Sequence, residues 1–165
     1  IKPTPIIGVL GLIEKKPLHW QKSESGDILI LVGVTKDELG GSEYYEYIHK
    51  FIGGKCPVVD FAESKRNMES ILHIIENEWA KNVHDCSKGG LAIAVSEIAM
   101  TDGIGCVVSI DNVPSSKLAD DKVLFSESHS RYLLSVSKSN LDAVIGYLRA
   151  NGVTFGIIGH SAISG

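Results

Sequence analysis

Three short stretches of the chain carry side chains that can do chemistry together. The first is Val83-His84-Asp85-Cys86-Ser87-Lys88-Gly89-Gly90-Leu91. It reads as the end of a short buried strand, a tight polar turn and the start of a helix. Leu91, Ala94, Val95 and Ile98 recur at the spacing of one helical face, and Ser87 or Asp85 is placed to cap the helix. Gly89 and Gly90 let backbone approach a ligand or another element. A Gly-rich turn at a helix start offers free N–H groups and the positive end of the helix dipole, which suits a phosphate. The same residues also fit a plain strand–turn–helix whose glycines only allow tight packing. Cys86 is a nucleophile only if a base activates it, and His84, two residues away on one strand face, is the nearest candidate.

The second stretch, Leu39-Gly40-Gly41-Ser42-Glu43-Tyr44, is another Gly-rich approach to a helix, with Ser42 as its N-cap. Its apolar face is Tyr44, Tyr47, Ile48 and Phe51, and Gly53-Gly54 ends it. Simple capping and a second anion site both fit it. The third stretch is Leu124-Phe125-Ser126-Glu127-Ser128-His129-Ser130-Arg131-Tyr132. It gathers a carboxylate, hydroxyls, an imidazole and a guanidinium just before a strand. Glu127 and Arg131 there read either as ligand contacts or as an ion pair fixing the strand.

The totals narrow the field. A length of 165 residues fits one domain, with 44% hydrophobic and 22% charged content, ordinary for a globular protein. The net charge of −4 offers no basic excess for bulk nucleic-acid binding. No apolar run approaches the ~20 residues that span a membrane, and the first residues lack a signal-peptide pattern. Cys56, Cys86 and Cys106 form no Cys-x-x-Cys pair, so neither a zinc site nor a redox motif is indicated. Their odd number suits reduced thiols and a cytoplasmic setting. No residue cluster reads as a metal site or a complete catalytic set.

These stretches need a scaffold. Pro3 and Pro5 suggest an extended linker, and with no initiator Met the chain reads as a domain, residues 1–165, excised from a longer one. Ile6 to Ile13 reads as a buried strand and Glu14 to Gly26 as a loop. Asp27 to Val34 reads as a central strand, apolar on both faces. Asp60 opens a helix whose stripe is Met68, Ile71, Leu72, Ile75 and Trp79, with His73 off the stripe and solvated. Asn82 to His84 is a strand, and Ser87 to Met100 a helix apolar nearly all round, ended by Asp102-Gly103. Gly105 to Ile110 is a strand and Asn112 to Asp121 a polar loop. Tyr132 to Val136 is a strand. A helix opened by Ser139 and Asp142, with Leu141, Val144, Ile145 and Leu148 on its face, closes at Asn151-Gly152. Val153 to Ile158 is the last strand, before a loose tail. This alternation predicts an α/β fold, a mixed sheet with helices packed on it.

Together the three stretches closely resemble the large synthetase component of the phosphoribosylformylglycinamidine synthase family. Pro3-Thr4-Pro5-Ile6-Ile7-Gly8-Val9 resembles that family's second half, and the likeness covers nearly the whole chain. The 83–94 stretch alone is also similar to hydrogenase-maturation and other members of the aminoimidazole-ribonucleotide-synthetase superfamily. The resemblance implies the C-terminal domain of the second half: a three-layer α/β/α, partly ferredoxin-like fold. It implies a parent ligase that uses ATP, Mg²⁺ and glutamine-derived ammonia to convert formylglycinamide ribonucleotide to its amidine. The carboxylates that bind ATP and Mg²⁺ lie largely in the family's N-terminal domains, so the domain alone is expected to be inert.

By the same resemblance, Gly40, Gly41, Ser42, Asp85, Ser87, Lys88, Gly89 and Gly90 are expected at a nucleotide or phosphate, and Glu127 and Ser128 at substrate. The family's first half reads Glu-Ser-Gln where this chain has Glu127-Ser128-His129. Its second half often has Asp where this chain has Lys88, which makes the turn more basic. The implied partners are the N-terminal domains of the same chain, a glutaminase and small accessory subunits, or a second copy of the domain. A purely structural or dimerisation module is the alternative. If the family's fold holds, the Ser87 turn and the Glu127 segment should line one groove, and a phosphate should sit near Ser87 or Ser42.

Overall fold

The structure, a computed structural model, describes residues 7–12 and 21–163. Its elements are β1 (Ile28–Val32), α1 (Glu43–Tyr47), α2 (Phe61–Glu76), β2 (Asn82–Asp85), α3 (Gly90–Asp102), β3 (Gly105–Val108), a 3₁₀ turn (Ile110–Asn112), α4 (Asp120–Phe125), β4 (Tyr132–Val136), α5 (Leu141–Ala150) and β5 (Phe155–Ala162). The strands form one sheet in the order β2-β4-β1-β5-β3. Every pairing in it is antiparallel, where a mixed sheet was expected.

Strand β1 explains the layering. Successive side chains of a strand point to opposite faces, and Ile28-Leu29-Ile30-Leu31-Val32 is apolar on both, so both faces must be covered. Leu29 and Leu31 pack with Leu91, Ala94 and Ile98 of α3 and Val123 of α4. Ile30 and Val32 pack with Ile71 and Ile74 of α2 and Val144 and Leu148 of α5. The expected three-layer α/β/α arrangement follows, with β1 at the centre of the sheet.

Several local expectations change. Residues 7–12 form no strand, and Ile7 and Leu12 are 84% and 95% exposed. The rest of the Ile6–Ile13 strand and the Pro3–Pro5 linker lie outside the described residues. Helix α2 turns Asn67, Ser70, Ile71 and Ile74 inward and leaves Met68 and Leu72 56% and 54% exposed. On the inward face the Asn67 side-chain amide donates to the Ser130 carbonyl at 3.1 Å, beside the core packing of Ile71 and Ile74. His73 is partly exposed and also stacks on Tyr147, with ring centroids 4.0 Å apart. Helix α1 is one short turn that buries none of its residues. Helix α3 is apolar nearly all round but buries one face only, Leu91, Ala94 and Ile98, and leaves Ile93 and Met100 exposed. Helix α4 occupies a stretch read as loop and polar run. Gly159 to Ala162, expected in a loose tail, extend β5 and pair with β3, while residues 164–165 lie outside the described residues.

Candidate functional site

The 126–131 segment is laced to residues 35–38. Lys36 N–H donates to Ser128 Oγ at 3.0 Å, Glu127 N–H to the Glu38 carbonyl at 3.1 Å, and Glu38 N–H to Ser126 Oγ at 3.4 Å. Arg131 lies under this lacing and is only 1% exposed. Its Nε donates to the Ser128 carbonyl at 3.1 Å and its Nη1 to Thr35 Oγ1 at 3.0 Å, while Nη2 donates to the Ser126 carbonyl. Burial pulls the guanidinium below its ordinary pKa. Instead of an ion pair with Glu127, the fork bonds loop oxygens from all three of its nitrogens, the use for which guanidinium geometry is suited.

Glu127 uses its carboxylate differently. Oε1 accepts from Gly89 N–H at 2.8 Å and from Glu43 N–H at 2.9 Å. One oxygen therefore joins the first residue of α1 to the turn before α3. Lys88 turns to Glu43, Nζ to Oε1 at 2.8 Å, and this bond raises the lysine pKa first, with the Glu127 charge a smaller cause. Gly90 makes the junction close. Its φ is +65°, and a Cβ there would stand 2.5 Å from the Ser126 carbonyl and 2.8 Å from that of Leu124.

The result is a cleft of about 350 Å³ whose lining includes Asp85, Ser87, Lys88, Glu127, His129 and Tyr132. Burial, then the Asp85 charge, raises the Tyr132 phenol above its ordinary value. Beside it lies a more apolar groove that includes Val59, Phe61 and Met68 and shares His129, Ser130 and Tyr132 with the cleft.

The Ser87 turn and the Glu127 segment thus share one cleft. Gly40, Gly41 and Ser42 do not line it. Gly40 is packed on the Lys55 backbone, leaving no room for a ligand, and Ser42 caps α1 by accepting from Tyr45 N–H at 3.2 Å. Neither Ser87 nor Asp85 caps α3, whose N-cap is Gly89 in the left-handed region. Ser128 is buried and its hydroxyl is used on Lys36, so it holds the loop instead of facing the cleft. Cys86 is buried, and desolvation pushes its thiol up to about 11, so it is no nucleophile at neutral pH. His84 faces Glu97, its Nε2 3.1 Å from Oε2, and not Cys86. The sequence reading missed Asn67 and the bridging role of Glu127. The cleft can bind and orient, while its lining shows no base-activated nucleophile.

Residues 24–162 match the family described as "AIR synthase related protein, C-terminal domain". The phosphoribosylformylglycinamidine synthase subunit PurL of Alkaliphilus metalliredigens is 40% identical over 155 residues, 93% of this chain and 20% of that protein. Its counterpart from Thermococcus kodakarensis is 38% identical over 165 residues, 100% of this chain and 22% of that protein. Among solved structures, T. maritima PurL complexed with FGAR superposes with a TM-score of 0.75 at 19% identity, over 87% of this chain and 25% of that one. E. coli HypE, a hydrogenase maturation protein, gives a TM-score of 0.64 at 20% identity, over 88% of this chain and 47% of that one. The chain spans about a fifth of the length of the curated relatives it matches.

Proposed function

The chain belongs to the AIR synthase related protein family, as its C-terminal domain, and from that premise we propose that it is one domain of an ATP-dependent carbon–nitrogen ligase. The parent would convert formylglycinamide ribonucleotide, ATP and glutamine-derived ammonia to the amidine in purine biosynthesis. The observation that carries this reading is the match of 93% of the chain, at 40% identity, to a synthase subunit of that name. The cleft between the Ser87 turn and the Glu127 segment is the domain's ligand-facing surface. Asp85, Ser87, Lys88 and Glu127 are its polar wall, and Gly89, Gly90 and Ser128 hold that wall in place.

ATP and Mg²⁺ would be held by the rest of the parent. Among the described residues, no group of three or more His, Cys, Asp or Glu side chains stands ready for a metal ion. The other domains of the same chain are its first partners, with a glutaminase and small accessory subunits beyond them. Exposed Phe61, Met68 and Leu72 recur on one face of α2 and are the kind of apolar surface that a neighbouring domain, or a second copy, would cover. Among the described residues no helix is long and apolar enough to cross a membrane, and the cytoplasm is the proposed location.

The test is an assay of ATP-dependent amidine formation with ammonia as nitrogen donor. The isolated chain should show no turnover above background, and the longer polypeptide that contains it should turn over. Turnover by the isolated chain, or none by a folded longer polypeptide, would overturn the reading.

A further inference from the structure

The start of α3 was expected to receive a phosphate, yet the N–H of its N-cap, Gly89, is not free. Gly89 N–H and Glu43 N–H both point at Glu127 Oε1, at 2.8 and 2.9 Å, and Gly90 N–H is bonded to the Ser87 carbonyl at 3.1 Å. Two converging N–H groups from different elements are what an anion needs, because the partial charges at the start of a helix favour negative charge. Here the anion belongs to the chain itself. The nearby cations are also engaged, Lys88 on Glu43 and Arg131 on the Ser126 and Ser128 carbonyls and Thr35.

We propose that Glu127 is a built-in anion that fills this seat and makes the cleft refuse a phosphate at the corner between α1 and α3. It is a specificity-setting and positioning residue, and it deepens the reading of the cleft given above. The carboxylate does two jobs with one oxygen. It ties α1 to the turn before α3, and it keeps a phosphate-bearing ligand from docking there by its phosphate. Ligands must then be selected by other contacts, on Asp85, Ser87, His129 or the second Glu127 oxygen, which takes no hydrogen bond among the described residues. Under this view the phosphate expected near Ser87 or Ser42 does not bind in the native protein.

The experiment titrates the 165-residue chain with inorganic phosphate and follows the Glu43 and Gly89 amide signals by NMR. In the native chain these signals should not respond. In Glu127→Ala the vacated seat should bind phosphate at least about tenfold more tightly, the scale of one charge-assisted hydrogen bond. Glu127→Gln keeps an oxygen for the two N–H groups without the charge, and it should still refuse phosphate. Should Glu127→Ala fail to fold in plain buffer, phosphate is expected to restore it, as an external anion replacing the lost one. Saturable phosphate shifts at Glu43 and Gly89 in the native chain would overturn the proposal. So would phosphate binding by Glu127→Gln equal to that of Glu127→Ala, or no response and no rescue in Glu127→Ala. The readout uses no synthetase activity, so it can fail while the proposed function stands, and the reverse.

Discussion

Replacing Arg131 by methionine is expected to cost about 4 kcal/mol of stability, a large loss for one substitution. The side chain is fully enclosed, and its fork serves the Ser128 and Ser126 carbonyls and Thr35 Oγ1. Methionine fills much of the same volume, so the loss reports oxygens left in the interior without a donor. Each stranded acceptor costs about 1–3 kcal/mol. Lysine should recover less than half, because one ammonium cannot reach three acceptors in the plane that a guanidinium does. Urea denaturation checks this through the midpoint, with the slope unchanged. A methionine variant as stable as the native chain would show that the fork does not hold the 126–131 segment.

Gly90→Ala should cost about 3 kcal/mol, from strain at its positive φ and from contact with a neighbouring loop. Gly103→Ala is the control. Gly103 closes α3 with a φ of +68°, close to the +65° of Gly90, but nothing lies within 4 Å of a Cβ built there. The control should therefore cost only the backbone strain, about 1 kcal/mol. The difference measures how closely the start of α3 sits on the Leu124 and Ser126 carbonyls, 2.8 and 2.5 Å from the added Cβ. Equal losses in the two variants would mean that the loop gives way freely and the cleft is not rigidly framed.

The elements that frame the cleft were legible where apolar pattern alone decides. Strand β4 was read with its observed bounds, and the buried face of α3, Leu91, Ala94 and Ile98, was read from its spacing. Reading failed where a distant polar contact outweighs the local pattern. The stripe of α2 reads as Met68, Ile71, Leu72, Ile75 and Trp79; Ile71, Ile75 and Trp79 pack on the core, while Met68 and Leu72 are exposed and Asn67, bonded to the Ser130 carbonyl, takes an inward place. Helix α4 is six residues long, Asp-Asp-Lys-Val-Leu-Phe, too short for an apolar period to show. Glu127 was singled out by its company, yet its partners stand 38 and 84 positions away in sequence. No spacing rule reaches that far, and a helix start was read as vacant that the fold fills with its own carboxylate.

The central claim is that the Ser87 turn and the Glu127 segment form a ligand-facing wall within a larger synthetase. Hydrogen exchange on the longer polypeptide, with and without formylglycinamide ribonucleotide and ATP, addresses it most directly. The account predicts slower exchange on ligand addition at residues 85–90 and 126–132, with the outer turns of α5 unchanged. Exchange at those two segments that is indifferent to ligands, in a polypeptide that is turning over, would contradict it.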